Sequence, residues 1–191
     1  SKTEQFSRNL LATVLALKQD NALTPESIAN LGDSIGKNID AQRSLTPTYF
    51  ANNIRTIEDT PTNEKTYITS LKKIVLTYDQ SNIGDEFDAI AEMISATDPT
   101  SAIQKLNTIA TTYSTLSKDL ISLPTPKSAV PHVLALANAS AAIADGIQKT
   151  TVLSTDAITG MVGLDEFVNQ NETFFQASID LATYIDGIAR Q

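Results

Sequence analysis

Five of the seven prolines in this chain follow a residue able to cap a helix: Thr24-Pro25, Thr46-Pro47, Thr60-Pro61, Asp98-Pro99 and Thr125-Pro126. A Thr or Asp oxygen accepts from an otherwise orphaned N–H of the first turn, and Pro at the first helical position gives up a donor that had no partner there. Between these marks apolar residues recur every three or four positions, the repeat of a helix with one buried face. No window holds five residues of clean alternation with β-branched enrichment, so essentially no sheet is expected. The sequence predicts an all-α fold, a single-domain bundle of about seven amphipathic helices over residues 1–191.

The first helix is expected from about Thr3 to Lys18, with Phe6, Leu10, Leu11, Val14, Leu15 and Leu17 forming a broad apolar face. A second, capped at Thr24, carries Ile28, Leu31, Ile35 and Ile39, weakened by Gly32 and Gly36, since each interior glycine costs about 1 kcal/mol relative to Ala. A short third helix after Thr46 would bring Tyr49, Phe50, Ile54 and Ile57 together. From Thr60 a fourth shows Tyr67, Leu71, Ile74, Val75 and Tyr78, ending near Asp79. Phe87, Ile90, Met93 and Ile94 mark a fifth. Asp98 opens a sixth, with Ile103, Leu106, Ile109, Ala110, Tyr113, Leu116 and Leu120 in register.

Leu123-Pro124-Thr125-Pro126 is a hard break. Pro126 suits a helix start, and Pro131 must fall in the first turns or kink the helix that carries Val133, Leu136, Ala137, Ser140, Ala144 and Ile147. That helix is Ala-rich from Ala135 to Ala144, which permits close approach of neighbours on several faces and places it at the centre of the bundle. A last segment runs from Asp156 to Ala189, with a kink or break expected at Asn169-Gln170-Asn171.

A chain of 191 residues can bury roughly 70% of its unfolded surface, so no cofactor is needed for folding alone. The net charge is −8 and the longest basic run is Lys72-Lys73, which argues against nucleic acid as a partner. Zero Cys removes disulfides, thiolate metal sites and thiol catalysis together. No secretory signal is seen, and the longest apolar run, Leu10 to Leu17, falls far short of the roughly 20 residues of a membrane span. The chain opens on Ser1-Lys2-Thr3 without Met, and removal of an upstream piece is expected.

Sites are few. His132 is the sole imidazole, whereas a di-iron bundle or a zinc site without Cys needs more than one. A Ser–His–Asp triad has its residue types but no Gly-x-Ser-x-Gly elbow, and His132 beside Pro131 reads as structural. Gly-x-Gly-x-x-Gly and Walker phosphate loops are missing. No catalytic, cofactor-binding or metal residues are therefore assigned. The nearest thing to a cation cluster is Asp85, Asp88 and Glu92, spaced to share one helical face, although a solvated acidic face near a helix N-terminus needs no ion. Asp165-Glu166 is a weaker candidate. Asn138-Ala139-Ser140 and Asn171-Glu172-Thr173 match the glycosylation sequon inside expected helices, as chance matches do.

Ile54-Arg55-Thr56-Ile57-Glu58-Asp59-Thr60-Pro61 followed by Tyr67, and Leu123-Pro124-Thr125-Pro126-Lys127-Ser128 leading through His132 into the Ala-rich helix with Asn138, resemble a group of uncharacterised membrane-anchored all-helical extracytoplasmic proteins of very small bacteria. The likeness spans most of the chain in the same order. It implies an ectodomain that follows a single N-terminal membrane anchor, and it carries over no catalytic residues. The expected function is that of a non-enzymatic extracytoplasmic interaction or scaffold domain whose partner is another protein. The alternatives are a small-ligand-binding or sensor bundle and, third, an enzyme with an unrecognised site. A closed apolar pocket with convergent polar groups would favour the sensor, and an exposed apolar patch the scaffold.

Overall fold

In the computed structural model the described residues are 46–79 and 85–190. Five α-helices account for most of them: α1 (Pro61–Asp79), α2 (Glu86–Ser95), α3 (Thr100–Ser122), α4 (Val130–Thr150) and α5 (Ala157–Ala189). The helices expected over Thr3–Lys18 and from Thr24 to Ile39 lie outside the described residues. Among the described residues the count of about seven is not reached.

Two of the proline signals mark helix starts, Pro61 as the first helical residue and Pro99 one place earlier, at the N-cap. Helix α1 begins at Pro61, and the Thr60 hydroxyl accepts from Asn63 N–H at 3.3 Å. Asp98 Oδ1 accepts from Thr100 N–H at 3.0 Å and from the Thr100 hydroxyl at 2.6 Å, holding the first turn of α3. The fifth helix has its own cap: Asp156 accepts from Thr159 N–H at 3.1 Å.

The other described signals fail, and for one shared reason. No helix follows Thr46-Pro47; the segment forms a 3₁₀ turn, Ala51–Asn53, and then strand β1, Thr56–Ile57. Its backbone groups are taken by distant partners. Tyr49 N–H donates to Asn138 Oδ1 at 2.8 Å, and Asn138 Nδ2 donates to Tyr49 O at 3.0 Å. Thr125-Pro126 is strand β2, parallel to β1 with Thr56 opposite Thr125 and Ile57 opposite Pro126. This sheet, two residues in each strand, is the small exception to the expectation of essentially no sheet. Helix α4 starts only at Val130, after a 3₁₀ turn at Lys127–Ala129, with Pro131 in its first turn, where a missing N–H costs nothing.

Helix α4 sits between α3 and α5, while α1 and α2 pack on α3. Ala137, Ala139 and Ala144 on α4 are buried, and the small side chains allow neighbours on two sides. One core cluster joins Ile90 and Met93 to Leu106, Ile109, Tyr113, Ile143, Ile147 and Phe167. A second, at the other end, joins Tyr67, Leu71, Leu116, Leu120, Val133, Leu136 and Leu181. Helix α5 runs unbroken through Asn169-Gln170-Asn171; the Asn169 amide donates to Asp165 O, one turn back, at 2.7 Å. At 33 residues it is about 50 Å long.

The segment Lys127–Thr150 is long and apolar enough to cross a membrane by length and composition, yet half of its most apolar window is buried inside the protein. A core helix rich in Ala passes the same test. A search for unbroken apolar runs overlooks it because Ser140 and Asn138 interrupt the sequence.

Candidate functional site

Helices α4 and α5 form an antiparallel pair. Near the connection, glycines bring backbones together. A methyl group at Gly163 would lie 2.5 Å from Lys149 Cβ and 2.6 Å from both Gly146 O and Thr150 N; one at Gly146 would lie 2.8 Å from Phe167 N. Lys149 Nζ closes this end, reaching Asp145 at 2.6 Å and Glu166 at 2.7 Å. Burial pulls the ammonium down, but the hydrogen bonds it donates to Asp145 and Glu166 outweigh it and leave it above its ordinary value.

Toward the far end α5 meets α1, and the side chains between them are large. The result is an apolar groove of about 650 Å³. Its floor is made by Leu71, Leu116, Leu120, Leu136 and Leu181, all buried. Its α1 wall rises to Val75 and Leu76, which are 51% and 59% exposed. Its α5 wall runs from Phe174 to Ile185 and Asp186. The polar groups along it are engaged: Ser178 Oγ donates to Phe174 O at 2.8 Å, and Tyr78 donates to Asp119 at 2.8 Å. Burial and that bond to Asp119 push the Tyr78 hydroxyl well above its ordinary value. Lys72 and Asp186 are exposed on the lining.

Such a groove has no nucleophile paired with a base and no set of polar groups converging on a small polar ligand. It can take up apolar surface. Exposed leucine and valine beside a leucine floor are what a soluble helix face normally hides.

The residues singled out in the sequence lie elsewhere. Asp85 pairs with Lys105 at 3.4 Å; Asp88 and Glu92 are exposed along α2, and no group of three or more His, Asp or Glu is placed to hold a metal ion among the described residues. The buried acid of that helix is Glu86, which accepts from the Tyr113 hydroxyl at 2.7 Å. Glu166 is held by Lys149. His132 stacks on Tyr184, with ring centres 5.0 Å apart. Nearby, Asp59 accepts from Ser128 N–H at 3.1 Å and Ser128 Oγ at 3.0 Å, while Ser128 Oγ and the Tyr184 hydroxyl are 2.6 Å apart. Ser, His and Asp thus meet at one end of the protein, but the hydrogen bonds run from Asp to Ser to Tyr and leave the imidazole out, which is the wrong order for nucleophile activation. The Asn138 amide is occupied by the Tyr49 backbone and Ser140 is buried, so the first sequon is closed.

Leu76 is the groove residue missing from the sequence-derived apolar face of α1. The available signal was the width of that face: Leu71, Ile74, Val75, Leu76 and Tyr78 fall within eight residues, more than one neighbouring helix can cover. Comparison of the chain with protein-family models, curated proteins and solved structures finds no match.

Proposed function

We propose that this chain is a non-enzymatic interaction domain that receives the apolar face of a protein helix in the groove between α1 and α5. The observation that carries the reading is the pairing of a leucine floor with Val75 and Leu76 left half exposed on the wall. An amphipathic helix lays its apolar residues into such a groove and leaves its polar face in water. The resemblance to membrane-anchored extracytoplasmic proteins supports a place outside the cytoplasm, tethered upstream of the segment described. A small apolar ligand is the second reading, since about 650 Å³ falls within the range of small-molecule sites; the exposed wall favours the larger partner.

The test is a photo-crosslinking amino acid placed at Leu76 in the producing cells, with Thr111 on an exposed face of α3 as control. An adduct of increased mass at position 76 and none at 111 is the expected result. Equal adducts at both positions, or none at 76, would remove the groove from consideration.

A further inference from the structure

Large apolar residues recur along the outside of α5: Met161, Val168 and Phe175 at intervals of seven, and Ile179 one turn further on, all exposed. Steps of seven and four keep them on one strip of a helix, here about 27 Å long. Phe175 is the most exposed large apolar side chain among the described residues, at 66%. Single apolar residues on a surface are ordinary, whereas four in line mark an interaction face. Helix α3 shows the ordinary case, with Gln104, Thr108, Thr111 and Thr115 on its outward strip. None of the four α5 residues lines the groove toward α1, so the strip is a second surface.

We infer that this strip docks a helix of another protein, one whose apolar seam is edged by Lys or Arg. A seven-residue repeat lets two helices stay in register over several turns. Charge then chooses the partner. From Ala157 to Ala189 the helix carries Asp165, Glu166, Glu172, Asp180 and Asp186 and no Lys, Arg or His. Asp165 and Glu172 follow Met161 and Val168 by four residues and so share their face, and Glu172 and Asp180 are exposed. On the neighbouring α4, Lys149 is taken up by Asp145 and Glu166, and Lys72 belongs to the groove lining on α1.

A second copy is a poor occupant. Two α5 strips laid together would set the acids of one chain against the same acids of the other, and facing like charges select against a partner. A helix with basic edges gains on both counts. Its apolar seam covers Phe175 and Ile179, the aromatic ring serving as the anchor, and its cations pair with carboxylates that have no cation on their own helix.

The chain has no Trp, so the fluorescence of a Trp in a probe peptide reports the peptide alone. Two helical peptides of about three heptads serve as probes, with the same leucine seam, one edged by Lys and the other by Glu. The full chain should bind the Lys-edged peptide at least about tenfold more tightly. Phe175→Ser with Ile179→Ser should weaken that binding at least about tenfold, whereas Val75→Ser with Leu76→Ser in the groove should change it less than about twofold. Glu172→Lys with Asp180→Lys should abolish the preference for Lys edges while leaving the chain net negative. These side chains are all exposed, so the variants should fold, as circular dichroism checks. A preference that survives the charge reversal would show that overall charge attracts the peptide, and would overturn the inference. Loss of binding on the groove substitutions alone would place the peptide in the groove instead, and no binding of either peptide would leave the strip without this role. Sedimentation of the chain alone as a dimer that Phe175→Ser splits would give the strip to a second copy, which also overturns it.

Discussion

Helix α5 is packed in two different ways. In its first turns Gly163 approaches α4 and Gly160 approaches Leu153 in the connection between the two helices, each close enough that a methyl group would meet backbone atoms. Its last turns carry Phe174, Leu181 and Ile185, and there the gap toward α1 stays open as a groove. The glycine of that far end, Gly187, has no atom within 4 Å of where a Cβ would stand. Residue size at the contact sets the distance between helices, so one helix serves as a tight joint at one end and as a groove wall at the other.

The largest expected break of this contrast is Phe167→Ala at the tight end. Phe167 is fully buried and packs its ring 5.0 Å from that of Phe87, so truncation should cost about 3–5 kcal/mol in urea unfolding. A loss under 1 kcal/mol would mean the joint collapses easily and is not closely packed. Gly163→Ala comes next, at about 1–3 kcal/mol, although Ala gains roughly 1 kcal/mol in intrinsic helix propensity. Gly187→Ala should show the propensity alone and stabilise by about 0.5–1 kcal/mol. Equal signs for the two glycines would erase the distinction between the two ends.

The smallest effect sharpens the comparison by its lack of packing. The Asp98 carboxyl is held below its ordinary value first by the hydrogen bond from the Thr100 hydroxyl and then by that from its N–H. A depressed folded value stabilises above the unfolded one, near 3.9, and that contribution is lost as pH falls through the folded value. Asp98→Asn should therefore flatten the pH dependence of stability slightly below about pH 4, read by thermal melts at several pH values. An unchanged profile would remove the cap from the account.

The helices were legible because their signals are local: a capping oxygen at Thr60 or Asp98 and a repeat such as Leu106, Ile109, Tyr113, Leu116, Leu120. The strands were not, because two residues have no period and their partners lie 69 positions away, as Glu58 and Lys127 do. Thr46-Pro47 misled because a cap signal cannot report that Asn138 will claim the Tyr49 backbone. The groove escaped for a related reason. Periodicity says that Val75 and Leu76 are apolar, not whether a neighbour covers them. Gly146 and Gly163 were readable in principle, as glycines inside otherwise strong helices, and a close backbone approach is what such residues signal.

The β1–β2 ladder has a mechanical consequence. It fastens Thr56 and Ile57 to Thr125 and Pro126, with Lys127 to Glu58 at 2.6 Å and Ser128 to Asp59 beside it, and it thereby closes α1, α2 and α3 into a loop. A pull on the N-terminal side enters at β1 and leaves through β2 toward α4. Because the strands are parallel, that tension runs along them in shear and loads their hydrogen bonds together instead of one at a time. The three helices inside the loop carry no force until the clasp gives way, so a domain tethered from its N-terminal side would keep the α1 wall of its groove in place under load.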